Sequence, residues 1–94
     1  MRADTNQPEI VKWFRAHGAQ VSSTTKMGGG FPDLLVTYKG FHAMVEVKRL
    51  GETLRPNQER WHKTRQGLTF VVHDIDEAQL VLIAIDDIVK EVMR

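Results

Sequence analysis

The sequence predicts one α/β domain in which a mixed central β-sheet is flanked by helices, with elements in the order α-β-β-β-α-β-α. Three observations carry that reading. Two β-rich runs, residues 34–38 and 41–48, are separated only by Lys39-Gly40, which is hairpin spacing. A helix opened by Pro56 and closed by Gly67 separates the second run from another β-branched run, residues 68–73. That strand–helix–strand passage reads as a right-handed parallel crossover. Apolar residues at helical spacing occupy both ends of the chain. With 94 residues there is room for one modest core and not for two, so residues 1–94 are read as a single domain.

The elements follow in order. Residues 7–17 form the first helix: Pro8 suits its first turn, Ile10, Val11 and Phe14 give an apolar stripe, and Gly18 stops it. Residues 19–23 fit a short strand. Residues 24–30 are polar and end in Gly28-Gly29-Gly30, a loop signal. After the hairpin, residues 49–55 form a loop, and the second helix runs from Pro56 to about Gln66. Asp74 or Asp76 caps a last helix reaching about Met93. In that helix Ala78, Val81, Leu82, Ile85, Ile88, Val89 and Val92 form one stripe able to cover the sheet. Leu80, Ile83 and Ala84 fall on other sides, and a symmetric partner is the simplest cover for them in so small a domain. A homodimer is therefore expected. The alternative is a strand at residues 80–85 inside the chain's own sheet.

Composition excludes several functions. There is no cysteine, hence no disulfide framework, thiolate metal site or cysteine nucleophile. The polar residues 1–8 lack the apolar core of a signal peptide, and no apolar run approaches the length of a membrane span, so an intracellular protein is expected. Net charge is only +1, but it is unevenly spread. Residues 39–66 carry seven Lys/Arg against three acids, whereas residues 67–94 carry two against six. A basic middle places polyanion contact there, although two ordinary solvated faces would give the same counts.

The hairpin register locates the chemistry. With a two-residue turn at Lys39-Gly40, Tyr38 pairs with Phe41 and, down the ladder, Asp33 falls opposite Glu46. Their Cβ atoms would lie about 4.5–5.5 Å apart, and like charges at that spacing destabilise a sheet unless something compensates. A divalent cation bound by oxygen is the obvious compensator. Lys48 lies two residues after Glu46 and so projects from the same face, while Val45 and Val47 point the other way. Two carboxylates and an amine are the parts of phosphodiester hydrolysis: a metal polarises the phosphate and activates water, and the amine orients that water or stabilises the developing charge. Glu-Val-Lys alone would equally suit a solvated hairpin. The matching Pro32-Asp33 is what distinguishes the two readings.

Residues 30–36, Gly-Phe-Pro-Asp-Leu-Leu-Val, followed by Val45-Glu46-Val47-Lys48, resemble the PD-(D/E)xK nuclease superfamily. Glu9 in the first helix, the glycine-rich loop before Pro32-Asp33, and residues 54–61 (Leu-Arg-Pro-Asn-Gln-Glu-Arg-Trp) narrow the resemblance to the virus-type replication-repair nucleases, the VRR-NUC family, over about residues 7–80. The resemblance implies a restriction-endonuclease-like fold and a Mg²⁺- or Mn²⁺-dependent deoxyribonuclease. Asp33, Glu46 and the carbonyl of Val47 would be metal ligands and Lys48 the catalytic lysine. Glu9 would be an outer or second-metal carboxylate, and Gln58 would stand near the site. Members often act on branched DNA, and small viral ones resemble dimeric junction-resolving enzymes. The loop before Gly28 departs from the family in offering one basic residue, Lys26.

Other candidates have plain alternatives. Glu9 suits a helix N-terminus for dipole reasons alone. Gln58 fits a solvated helix position. His17, His42, His62 and His73 show no metal-ligand spacing, and Trp13 and Trp61 sit on helical stripes that favour the core. Gly28-Gly29-Gly30 is not followed by Gly-Lys-Ser/Thr, so it is no phosphate-binding loop; a lid over the DNA backbone and a plain loop both remain. Lys26, Arg49, Arg55, Arg60 and Lys63 are the expected phosphate contacts. The rival functions are a non-catalytic DNA-binding module of the same fold, and a protein-interaction domain built on the acidic C-terminal third.

Overall fold

The computed structural model describes residues 6–93. Helix α1 (Gln7–Ala16) is followed by β1 (Gln20–Ser23), one 3-10 turn (Thr25–Met27), β2 (Leu34–Tyr38), β3 (Phe41–Val47), α2 (Pro56–Thr64), β4 (Thr69–Val72) and α3 (Ile75–Val92). This is the α-β-β-β-α-β-α order expected from the sequence. The four strands form one sheet in the order β1-β2-β3-β4, with β4 parallel to β3 and the other neighbours antiparallel.

The β2–β3 turn sets the register. Lys39 has φ 51° and Gly40 φ 85°, the pair of positive values that a two-residue hairpin turn requires. Tyr38 accordingly pairs with Phe41 and Leu34 with Val45. The next step places Asp33 opposite Glu46.

Alternation along the strands then gives the sheet two unlike faces. Val21, Leu34, Val36, Ala43, Val45, Val47 and Val72 point into a core closed by Ile10 and Phe14 of α1 and by Ala78, Val81, Leu82 and Ile85 of α3. On the other face α2 covers one end of the sheet with the buried Gln58 and Trp61. The remainder of that face carries exposed or half-buried residues such as Thr37 and His42, which bond each other at 2.8 Å.

Residues 80–85 lie within α3 and not in a strand. Asp74 is the N-cap, its side chain accepting from the Glu77 N–H at 2.9 Å, which decides between the two aspartates. The stripe of α3 ends sooner than its apolar residues suggest: Val92 is exposed. Leu80 and Ile83 are 60% and 44% exposed on the side of α3 away from the core. Among the described residues, no helix is long and apolar enough to cross a membrane.

Phe14 is fully buried where α1 meets the sheet and α3. Phe14→Ala should lower unfolding stability by about 3–5 kcal/mol in urea titrations, through lost burial and the cavity left behind.

Candidate active site

A cleft of about 830 Å³ opens at the end of the sheet where β2 begins and β3 ends. Asp33, Glu46, Val47, Lys48, Arg55 and Gln58 all line it, so six residues singled out in the sequence meet at one place. Asp33 is held just ahead of β2. Its carbonyl accepts from the Thr24 N–H at 2.7 Å, and the Thr24 hydroxyl donates to the Pro32 carbonyl at 2.6 Å. Its Oδ2 accepts from the Val47 N–H at 3.2 Å. A residue's N–H and C=O leave an extended strand on the same side, so the Val47 carbonyl also faces the start of β2.

Glu46 is 2% exposed, which is rare for a carboxylate. Its Oε2 accepts from Gln58 Nε2 at 3.0 Å and lies 3.8 Å from Lys48 Nζ. Its Oε1 is buried and has no hydrogen-bond partner. Burial, followed by the neighbouring Asp33 charge, pushes the Glu46 carboxyl up to about 7, against the pull of Lys48 and Arg55.

Gln58 is fixed from both ends. Its Oε1 accepts the Arg55 N–H at 2.9 Å, one of the free donors at the start of α2, which leaves the amide nitrogen facing Glu46. The glycine-rich loop is packed against the same turn. Gly30 has φ 82°, and a Cβ there would lie 2.4 Å from the Asn57 carbonyl oxygen. Only glycine lets the chain leading to Asp33 lie this close to the backbone that carries Gln58.

These residues fit a hard divalent cation. Asp33 and Glu46 supply oxygens of like charge, the Val47 carbonyl a third, and the unsatisfied Glu46 Oε1 is a buried acceptor lacking a positive partner. Among the described residues no three His, Cys, Asp or Glu side chains gather as a metal cage. Two carboxylates and a carbonyl are donors that a hard cation keeping several of its waters can use.

Other expected residues lie elsewhere. Glu9 is exposed and lines a separate depression with Asp74 and Asp76. The cap residue Asn6 and Gln7, the first residue of α1, instead line the cleft. Asn6 Nδ2 donates to the carbonyls of Lys48 at 2.9 Å and His73 at 3.2 Å, tying the start of α1 to the ends of β3 and β4. Thr25, Glu52 and Thr53 complete the polar wall. Of the expected phosphate contacts, Arg55 lines the cleft and Lys26 and Arg60 are exposed. Arg49 is paired with Glu52 at 3.2 Å, and Lys63 lies 4.0 Å from Glu59. His17 stacks on Trp13, and His73 bonds Glu77, whose carboxylate raises its pKa. Trp61 is buried against Phe31.

Gly30→Ala should displace the first turn of α2 and free Glu46 from Gln58, at about 2 kcal/mol or more. Gly29→Ala, with φ 62° and open space around it, should cost only left-handed strain of about 1–2 kcal/mol. Thermal melts of the two variants separate clash from strain. The Glu46 shift also has a sign. Between pH 4.5 and 7 the folded state binds more protons than the unfolded chain, so metal-free stability falls as pH rises through this window. Glu46→Gln should therefore melt higher than the unsubstituted protein at pH 8 without metal, with the two converging near pH 4.5.

A family model described as the VRR-NUC domain matches residues 2–73. A solved structure described as a VRR_NUC domain superposes with a TM-score of 0.64 at 30% sequence identity, covering 81% of this chain and 88% of that one. Comparison with curated proteins finds no match. The mixed sheet, the carboxylate pair at its end and these two likenesses agree, and the chain belongs to the VRR-NUC family of nucleases.

Proposed function

We propose that this protein is a deoxyribonuclease that hydrolyses phosphodiester bonds with Mg²⁺ or Mn²⁺ held by Asp33, Glu46 and the carbonyl of Val47. The observation that carries the reading is the buried Glu46, raised to about 7, with one oxygen unpartnered and Lys48 beside it. A fold that needed only stability would not keep an acid there. A DNA-binding module would gain nothing from two carboxylates aimed at phosphate.

The bound cation would polarise a non-bridging phosphate oxygen and acidify a coordinated water. The chain's residues do the rest. Gln58 holds one Glu46 oxygen and leaves the other free for the cation. The Val47 N–H holds Asp33 on the same side. Lys48, drawn to Glu46 and largely buried, presents its ammonium to the charge that develops on the phosphate. Arg55 at the cleft rim and exposed Lys26 and Arg60 are placed to meet flanking phosphates.

The finer reading is a homodimer acting on branched DNA such as four-way junctions. It is supported by the exposed Leu80 and Ile83, the second of which lines a hollow with Trp13, His17 and Tyr38. A two-fold pairing over this face would relate two clefts, an arrangement suited to cutting opposite strands.

Asp33→Ala and Glu46→Ala should each reduce Mg²⁺-dependent cleavage of plasmid or junction DNA by about a thousandfold or more, with folding retained. Near-full activity in either variant would overturn the assignment. Lys48→Ala should lower the cleavage rate by about a hundredfold or more while calorimetric Mn²⁺ affinity stays close to that of the parent. Light scattering should give about twice the 10.8 kDa chain mass, and Ile83→Asp should return a single-chain mass.

A further inference from the structure

The cleft does not end at the carboxylates. Gln7, part of its wall, also opens a second, shallow groove of about 380 Å³ along the outer side of α1. Among the described residues this groove is completed by Pro8, Val11, Lys12 and Arg15. Helical spacing explains the set. Positions 8, 11, 12 and 15 share one side, while Ile10 and Phe14 turn into the core. Glu9 is turned away toward Asp74 and Asp76, so among the described residues the groove holds two cations and no acid.

Lys12 and Arg15 are exposed and form no ion pair among the described residues, unlike Lys39, Arg49 and Lys63. Arg15 is also positioned, since its Nη2 donates to the Val21 carbonyl at 2.9 Å and its other donors are left for a ligand. Along the helix axis Lys12 lies about 7 Å, and Arg15 about 12 Å, beyond Gln7. At about 3.4 Å per nucleotide these distances correspond to roughly two and four nucleotides.

We infer that the outer groove of α1 is a track for the DNA backbone, in which Lys12 and Arg15 bind phosphates about two to four nucleotides beyond the edge of the cleft at Gln7. The inference rests on the nuclease reading and extends its substrate path to residues that carry none of the chemistry. Pro8 and Val11 supply the apolar floor against which sugars lie, and the two cations supply the charge.

The test compares the parent protein with Lys12→Ala and with Lys12→Ala/Arg15→Gln. The first removes an exposed cation with no structural bond, so a folding defect in the second cannot obscure the result. Binding of a fluorescent DNA duplex is measured in Ca²⁺ over a range of salt, and Mg²⁺-dependent hydrolysis of bis(p-nitrophenyl) phosphate is measured in parallel. The small diester fills the cleft alone. Lys12→Ala should weaken DNA binding at least about threefold and lower the slope of log affinity against log salt by about 0.9, and the double variant should lower it by about 1.8. Diester hydrolysis should be unchanged. Parent-like DNA affinity and slope in both variants, with the parent active on the diester, would remove the track and leave the nuclease reading in place. A parent that neither binds DNA nor hydrolyses the diester would overturn both.

Discussion

Everything at the candidate site depends on one repulsion held in place by one turn. The two positive-φ residues Lys39 and Gly40 fix the pairing of β2 with β3, and that pairing sets Asp33 against Glu46. Two carboxylates so placed oppose the folding of the hairpin that carries them. The surrounding contacts act to contain that cost. The Val47 N–H takes one Asp33 oxygen, Gln58 takes one Glu46 oxygen, and the Glu46 carboxyl retains its proton to an unusually high pH. Lys48 adds charge balance at 3.8 Å. What remains unsatisfied, a buried acceptor and a proton ready to leave, is what a divalent ion would complete.

The core supplies the rigidity this arrangement needs. Val45 and Val47, between and beside the charged residues in sequence, are buried against α1 and α3. Each therefore anchors the backbone from which Glu46 and Lys48 project to the opposite side. Asn6 joins the start of α1 to the main chain at Lys48 and His73, so the helix that forms one wall of the cleft cannot drift from the strands that form its floor. Precision at the site is thus set by packing on the far side of the sheet.

Much of this was legible in the residues themselves. The element order, the hairpin register and the Asp33–Glu46–Lys48 face followed from turn length and strand alternation, which are short-range rules. The N-terminal wall was not legible. Glu9 drew attention as the acid of the first helix, but each helical residue turns the side chain by about 100°, so Glu9 lies far around the helix from Gln7, which lines the cleft. Phase at a helix start depends on how the helix docks, and sequence does not state that. The grip of Gly30 on α2 was equally hidden, because it joins two segments far apart in the fold pattern. By contrast, the pairing of Arg49 with Glu52 and of Lys63 with Glu59 had a signal in their spacing of three and four residues, the range over which such pairs meet on a helix or turn.

The two-residue turn between β2 and β3 has a consequence for how the sequence can change over time. An insertion or deletion of one residue there would exchange the two faces of β3. Glu46 and Lys48 would enter the hydrophobic layer beneath α1 and α3, and Val45 and Val47 would face the cleft. Such a chain would not persist as a folded but inactive protein, since charges buried without partners would unfold it. Length changes are confined to places such as the loop at residues 49–55, while any lineage that still folds inherits the register that sets position 33 against position 46. Selection for solubility alone would therefore preserve the spacing of the site, whether or not its chemistry were in use.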